Sequence, residues 1–369
     1  KNKATKYLSP RKIWCWGLDG NQQTSRGAYG FENEPGYMGG IFKGFAHILA
    51  TLDEKLSAPY LRTLHDTAVG DVFVDVHAWR EAQSALPSRQ SQYKLKKNYR
   101  EGGNAFGLRL GSNATQAGIK ELKEKIQQDL LLGERRFIIE WANLDDHGQP
   151  LKTAEGDFIP LDGGYVGDVA TVAKVLSSDN ELYAQKIIDQ YYKELAAAGD
   201  NEKKLKAIAR VCRDLESVHL FEDGNVRTLG ILLLNKLLLQ NGFSPVSLHN
   251  PNVIDAFSLN ELLVEIKNGQ NHFKTYIRTF EQSASFSDDD SGIVVDSEDE
   301  SVGNPNEKDS AEHKKQNDER RTLDQVAALF EEQHALWTKE VFPLAIEQNA
   351  DGARSGLCYG ETLMMAMSI

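Results

Sequence analysis

Basic residues are scarce relative to acidic ones in this chain of 369 residues. The sequence has 42 Lys and Arg against 54 Asp and Glu, which gives a formal net charge of −12. A general nucleic-acid-binding protein needs a basic excess to neutralise phosphates, so the charge argues against that class. Seven acidic residues and no basic ones lie between Asp288 and Glu300, and the rest of the chain carries only −5.

Cysteine and long apolar runs are also lacking. The three cysteines are far apart, odd in number and without a C-x-x-C pair, which argues against a disulfide framework or a zinc site and favours a reducing compartment. The densest apolar stretch, 229–239, is too short and too interrupted to span a membrane. No apolar segment follows the N-terminal Lys-Asn-Lys-Ala-Thr-Lys, so no secretory signal is predicted. These absences predict a soluble, cytoplasmic protein.

The composition divides the chain into four regions. We predict a mixed helical and loop region over 1–130, a helical core over 131–282, a disordered acidic linker over 283–321, and a C-terminal helix that packs on the core over 322–369. The linker is a solvated spacer or, alternatively, a docking segment for a partner.

Apolar periodicity predicts the helices of the core. A helix from Glu181 ends near Gly199, and a second carries one apolar face from Leu205 to Leu215. The stretch 229–239 has hardly any polar face and predicts a buried helix that ends at Asn241-Gly242. Two further helical segments are expected, after 255–258 and across 271–280. A β-hairpin is predicted near 135–160, with a turn at Asp145-Asp-His-Gly and extended residues at 158–161.

The segment His219-Leu-Phe-Glu-Asp-Gly-Asn-Val-Arg227 lies between the one-faced helix and the buried one. Gly224 permits a tight turn, and the amides of Gly224, Asn225 and Val226 at the start of the next helix form a candidate anion site. Arg227 adds a positive fork that suits phosphate oxygens.

Two further residues of this segment supply candidate reactive groups. Asp223 beside an anion site suggests a Mg²⁺ ion held between one carboxylate and substrate phosphates. His219 is a candidate general base, because its unperturbed pKa lies near neutrality. Together they suggest phosphoryl or nucleotidyl transfer to a hydroxyl. The alternative is a purely structural role, in which the segment is an ordinary connection between two helices.

The segment resembles the Fic/Doc (Fido) family, whose motif runs H-x-F-x-D/E-G/A-N-G/K-R. The resemblance extends to the flanking helices and covers roughly 181–282. It implies a mainly α fold, with a Fic-like helical core, a β-hairpin flap, an N-terminal extension and a disordered acidic insertion. The hairpin near 135–160 would be that flap, which pairs with an extended target segment, or else an ordinary surface hairpin.

The resemblance also implies an activity and a role for each motif residue. The implied enzyme is a nucleotidyltransferase that uses Mg²⁺ and ATP, or another nucleotide donor, to modify a Ser, Thr or Tyr hydroxyl of a target protein, with AMPylation favoured over UMP, phosphate or phosphocholine transfer. His219 would take the hydroxyl proton, Asp223 would hold Mg²⁺, Asn225 and the neighbouring amides would position the transferred phosphate, and Arg227 would grip distal phosphates. Phe221 would be a core anchor. We expect a bacterial effector or regulator, which could be delivered into a host cell.

The sequence departs from the family pattern at three positions. Leu220 replaces Pro, Val226 stands where Gly or Lys is usual, and Gly230 stands where many members have a second Arg. Val226 and Gly230 leave the identity of the nucleotide donor open. They also motivate an alternative, a catalytically degenerate Fido-fold module that binds or regulates proteins. No inhibitory helix is predicted, because Ser177 to Glu181 has the spacing but not the following residue.

Two other clusters of residues have either a functional or a purely structural interpretation. Stretch 65–77 holds the types of residue that bind metals, although its alternation is more typical of a half-exposed strand. The residues concerned are His65, Asp66, Asp71, Asp75 and His77. Lys94, Lys96, Lys97 and Arg100 form a basic patch that suits an acidic partner or, as we prefer, a solvated helix face.

Overall fold

The computed structural model describes residues 34–101, 104–131, 137–142, 170–175 and 179–285, together with five helical positions between 328 and 339. Within these ranges the protein is mainly helical, with one small sheet, so the predicted fold class is confirmed. The α-helices are α1 (Tyr37–Ala50), α2 (Ala58–Val69), α3 (Val76–Ser84), α4 (Gln116–Leu131), α5 (Asn180–Ala197), α6 (Asn201–Glu216), α7 (Leu234–Gln240) and α8 (Leu259–Ser285).

Three short helices of other types complete the described helical structure. They are two 3-10 helices, Pro87–Tyr93 and Pro251–Ile254, and a π-helix, Arg227–Leu233, that leads into α7. The predicted buried helix is thus divided into a π segment and an α segment, and it ends at Asn241-Gly242 as expected, with Gly242 at φ 78°. π segments frequently occur at functional sites, and this one begins at the last residue of the motif.

One hydrophobic core joins the described N-terminal helices to the predicted Fic-like core. Buried side chains of α1 and α2 contact those of α5, α6, the π-helix, α7 and α8 in a single cluster. Two glycines allow close packing: a Cβ on Gly40 of α1 would lie 1.9 Å from the Ala68 carbonyl oxygen of α2, and one on Gly44 would lie 2.3 Å from Leu232 Cδ1 of the π-helix. α1 therefore lies against both α2 and the element that follows the motif.

Side-chain caps explain where several helices begin. The carboxylates of Asp179 and Asp200 accept backbone N–H groups at the starts of α5 and α6. Ser258 and Glu261 form a capping box before α8, because each side chain bonds to the backbone N–H of the other. α8 continues to Ser285, so the prediction of two separate segments is wrong; the helix passes through Gly269, where a Cβ would lie 2.5 Å from Val246 Cγ2.

The sheet has three antiparallel strands in the order β1–β3–β2. β1 is Asn104–Arg109, β2 is Phe137–Ala142 and β3 is Ala170–Val175. Both outer strands pair with the whole of β3, Arg109 and Ala142 each lying opposite Ala170. The strand predicted from residue 135 is confirmed as β2, and among the described residues it pairs with β3. The stretch 158–161 and the turn at 145–148, which complete the predicted hairpin, lie outside the described residues.

The stretch 69–77 is not a strand, which corrects the sequence interpretation. α2 ends at Val69 and α3 begins at Val76, with only an isolated bridge between Phe73 and Lys94. Asp75 is the N-cap of α3, its Oδ1 accepting the Ala78 N–H at 2.7 Å. Most of the acidic linker and of 322–369 lies outside the described residues, so the predicted domain boundaries stay predictions.

Candidate functional site

The turn between α6 and the π-helix carries His219 in an unusual backbone conformation. His219 has φ 47°, and its backbone N–H donates to the Glu216 carbonyl at 2.8 Å, where α6 ends. Its Nδ1 lies 3.3 Å from the same carbonyl oxygen, which can only accept. This contact places the proton on Nδ1 and the lone pair on Nε2, the tautomer that a general base requires.

Burial determines the charge state of this histidine. It lowers the pKa of His219 to about 4, an effect that the contact with the Glu216 carbonyl opposes and the nearby Arg100 cation reinforces. Arg100 also holds the backbone of the turn: its Nε donates to the His219 carbonyl at 2.9 Å and its Nη2 to the Val218 carbonyl at 3.3 Å. The imidazole is therefore neutral at physiological pH and its main chain is fixed.

Asn225 closes the turn with its side chain. Its Oδ1 accepts the Phe221 N–H and its Nδ2 donates to the Phe221 carbonyl, both at 2.9 Å. These two bonds fix the Asn225 side chain against the Phe221 backbone, so the side chain shapes the turn. Phe221 is fully buried, as a core anchor should be.

Asp223 and Gly224 form the tip of the turn. Gly224 has φ 72°, and a Cβ there would lie 2.6 Å from Val69 Cγ1, so both conformation and space require glycine. Asp223 is exposed, and its Oδ1 accepts the Gly224 N–H at 2.6 Å. This contact fixes the carboxylate beside the amides of the turn.

Arg227 is buried directly behind the turn. Its guanidinium carbon lies 4.1 Å above the centre of the Tyr37 ring, and its Nη2 forms an ion pair with Glu34. Nε and Nη1 are buried without a hydrogen-bond partner among the described residues. Buried charged donors are normally satisfied, so this side chain indicates a place for an anion.

Two of the three departures from the family motif, Val226 and Gly230, have different surroundings. Val226 is half-buried at the rim of the turn. Gly230 faces the 3-10 helix Pro251–Ile254, where a Cβ would lie 2.8 Å from Ile254 Cδ1 and 3.3 Å from the Pro251 carbonyl oxygen. An arginine at 230 has no room there, which accounts for the glycine.

His65 is a site residue whose role the sequence interpretation missed. Its fully buried ring stacks on Phe221 with centroids 3.7 Å apart and planes at 5°. Nε2 lies 3.0 Å from the Asp223 carbonyl oxygen and Nδ1 lies 3.1 Å from Asp66 Oδ1. In the sequence analysis His65 was only one of several residues of types that bind metals. Its contact with the motif becomes visible only in the fold.

A pair of buried acids, Glu216 and Asp255, also lies beneath the turn. Burial, together with the proximity of Asp255, raises the pKa of Glu216 well above its ordinary value. Burial likewise raises the pKa of Asp255 to about 7, although a hydrogen bond from Asn113 Nδ2 opposes the rise. Glu216 Oε1 lies 3.6 Å from His219 Nδ1. A shared proton would satisfy these carboxyl groups, since neither Glu216 oxygen nor Asp255 Oδ1 has a donor in the described ranges.

The metal hypothesis for 65–77 is wrong. No group of three or more His, Cys, Asp or Glu side chains could hold a metal ion within the part of the chain that the structure describes. Asp71 instead pairs with Lys43 and Lys94, and His77 pairs with Glu81. Mg²⁺ at the motif would have one carboxylate, Asp223, which fits an ion whose other ligands are donor phosphates and water.

The predicted basic patch is neither a helix face nor an unpaired surface. Lys94 pairs with Asp71 and Lys96 pairs with Glu222 of the motif turn, while Arg100 is buried against that turn. Lys96 and Arg100 thus hold the segment after the helix Pro87–Tyr93 against the motif turn.

The site thus combines a neutral histidine, an exposed carboxylate and a buried arginine on one turn of a helical protein, which is the class of site that handles phosphate groups. No protein-family model matches the chain. The chain is 41% identical over 87 residues to the phosphocholine transferase AnkX of Legionella pneumophila subsp. pneumophila. The match covers 24% of this chain and only 9% of the length of that relative. The similarity therefore concerns one segment, and it is to a transferase.

Not one helix in the described ranges is long and apolar enough to cross a membrane.

Proposed function

We propose that the protein is a Fic-type transferase that moves a phosphate-containing group from a nucleotide-linked donor to a Ser, Thr or Tyr hydroxyl of a target protein. The observation that carries the proposal is the buried Arg227 guanidinium, whose Nε and Nη1 have no partner in the described part of the chain, behind the turn that holds His219 and Asp223. A phosphate oxygen would supply the missing acceptors.

The residues of the turn divide the chemistry among them. His219 Nε2 takes the proton of the target hydroxyl as its oxygen attacks phosphorus, and the bond from phosphorus to the leaving part of the donor breaks. The Gly224 amide already donates to Asp223 Oδ1, so the amides of Asn225 and Val226, together with Arg227, would hold the phosphate oxygens while negative charge develops on them. Asp223 would hold Mg²⁺, which neutralises phosphate charge when bound.

Phosphocholine is the transferred group that we favour, with CDP-choline as the donor and CMP as the leaving group. The segment similar to a phosphocholine transferase supports this choice. So does Gly230, which leaves no arginine at that position for an outer phosphate of ATP. The competing prediction is AMP transfer from ATP, which the sequence alone favoured. Delivery into a host cell also stays a prediction from the sequence.

Labelling with several donors tests the proposal. The full chain is incubated with Mg²⁺, a cell lysate and, separately, CDP-choline, ATP, UTP and GTP, and protein adducts are identified by mass spectrometry. We expect phosphocholine adducts that His219→Ala abolishes and that the exposed His249→Ala leaves unchanged. Absence of adducts from every donor, or equal labelling by His219→Ala, would refute transferase activity; adenylyl adducts alone would refute only the choice of donor.

One contact favours the alternative, a degenerate module that binds or regulates proteins. Glu34 pairs with Arg227 and so competes for the cation that a donor phosphate would need. That alternative predicts no donor-dependent adduct from any arm of the same experiment.

A further inference from the structure

Three consecutive carbonyl groups of the motif turn accept hydrogen bonds from one residue, Arg100. Its Nη2 donates to the Val218 carbonyl at 3.3 Å, and its Nε donates to the His219 carbonyl at 2.9 Å. Its backbone N–H donates to the Leu220 carbonyl at 2.9 Å. The guanidinium is a rigid planar fork, so the two side-chain bonds fix the relative orientation of the two peptide groups that flank the His219 Cα. Arg100 therefore constrains both φ and ψ of His219.

The conformation that these bonds fix is one that few residues other than glycine adopt. His219 has φ 47°, in the left-handed region, where a Cβ crowds the backbone. A residue keeps such a conformation only when its surroundings over-determine it. Here the backbone N–H and the ring Nδ1 of His219 both face the Glu216 carbonyl oxygen, at 2.8 Å and 3.3 Å. The left-handed conformation therefore determines which ring nitrogen meets an acceptor.

Contacts outside the turn hold Arg100 in its own place. The residue is buried, and its carbonyl accepts a hydrogen bond from Nδ2 of Asn180, the first residue of α5, which is also buried. The neighbouring Tyr99 stacks on Phe221, and its hydroxyl donates to the Ala58 carbonyl at the start of α2. Arg100 is thus anchored to two helices that do not belong to the motif.

We propose that Arg100 is a positioning residue, which holds His219 in the left-handed conformation and thereby keeps the ring proton on Nδ1, so that Nε2 is the nitrogen that takes the proton of the target hydroxyl. The catalytic part of this inference rests on the proposed function. The control of the tautomer rests on the geometry of the turn alone.

The charge of Arg100 has an effect separate from its geometry. Burial is the main reason for the low pKa of His219, and the Arg100 cation lowers that pKa further. Two acids also face this part of the turn: Glu216 Oε1 lies 3.6 Å from His219 Nδ1, and Glu222 is close enough for its charge to act on Arg100. Arg100→Lys keeps the charge but loses the fork, whereas Arg100→Met loses both. The two variants therefore distinguish the two effects.

Nitrogen-15 NMR of the full chain tests the control of the tautomer without any donor. At pH 7 we expect His219 to show a protonated Nδ1 and an unprotonated Nε2. In Arg100→Lys and Arg100→Met, the ring proton should be distributed over both nitrogens. Arg62→Met is the matched control and should keep the original pattern, because Arg62 pairs with Glu181 of α5 rather than with the turn. A proton that stays on Nδ1 in both Arg100 variants would overturn the proposal.

Steady-state kinetics test the role in transfer, with CDP-choline as the donor, or with ATP if only adenylyl adducts form. In both Arg100 variants we expect kcat to fall about 10- to 100-fold, as suits loss of a charged hydrogen bond, with KM for the donor nearly unchanged. Arg100→Met should also move the acidic limb of the rate profile to higher pH, because the cation that lowers the pKa of His219 is gone. Arg100→Lys should leave that limb in place. A purely structural role predicts less folded protein but an unchanged kcat per folded molecule.

The outcomes separate this inference from the proposed function. If no donor gives transfer in the unmodified chain, the proposed function fails, and the nitrogen shifts alone decide the role of Arg100. If transfer occurs and both Arg100 variants match Arg62→Met in kcat and in nitrogen shifts, the positioning role is wrong. Should Arg100→Met fail to fold, Arg100→Lys, which keeps the buried charge, decides the same comparison. A proton on Nε2 of His219 in the unmodified chain would overturn the inference whatever the variants do.

Discussion

At the residue scale, His219 has the properties of a base that works over a wide pH range. Its pKa of about 4 means that the neutral form predominates above about pH 5. We therefore expect the transfer rate to be flat on the acidic side down to about pH 5 and to fall by half near pH 4. Initial rates in buffers of constant ionic strength measure this profile, and an acidic limb centred near 6.5 would contradict it.

The same shift has a consequence for stability. The folded state disfavours the charged imidazole, so the contribution of His219 is present above the unfolded pKa of about 6.5 and is lost as pH falls towards 4. His219→Ala should weaken the acid sensitivity in that interval, measured as the pH dependence of the unfolding midpoint. His249→Ala, at an exposed position, should leave it unchanged.

The sequence identified the reactive residues of the turn better than the residues that hold them. His219, Asp223, Gly224 and Arg227 lie together because they are neighbours in sequence. His65 and Glu34 contact the turn although they lie more than 150 positions away in sequence. No local sequence pattern predicts a contact between residues so far apart.

At the element scale, the helices with both a regular apolar face and a capping residue were predicted closely. α5 and α6 begin after Asp179 and Asp200 and end within a few residues of the predicted limits. The pairing of β2 with β3 was not predicted. The two strands are separated by 27 undescribed positions (143–169), and no local sequence pattern indicates which distant strands pair. α8 was predicted as two segments, but the helix continues through Gly269. Glycine lowers helix propensity, whereas close packing against Val246 favours it at this position.

Gly40→Ala should destabilise the contact between α1 and α2. Alanine is the better helix former by about 1 kcal/mol, but its Cβ would lie 1.9 Å from the Ala68 carbonyl oxygen, so a backbone must move. We expect a net loss of about 1 to 3 kcal/mol in the free energy of unfolding, as for other overpacked sites, measured by urea denaturation. Gly199→Ala, where no heavy atom lies within 4 Å of the added Cβ, is the control and should cost under about 0.5 kcal/mol. Equal effects of the two changes would refute the packing argument.

At the scale of the whole molecule, the buried acids make stability depend on pH. The folded state raises the pKa of Asp255 to about 7, so it binds more protons than the unfolded chain. This contribution is fully present below about pH 4 and declines as pH rises through about 7. Asp255→Asn should flatten that decline, measured as the urea midpoint between pH 5 and pH 8. Asp189→Asn, on the exposed face of α5, should not; an unchanged slope in Asp255→Asn would show that the pair is not protonated.

The ion pair between Glu34 and Arg227 links the first described residue of the chain to the motif. A donor phosphate and the Glu34 carboxylate seek the same guanidinium, so each weakens the binding of the other by one common factor. A partner that draws Glu34 away from Arg227 would therefore raise the affinity for the donor. By the same factor, the bound donor would raise the affinity for that partner.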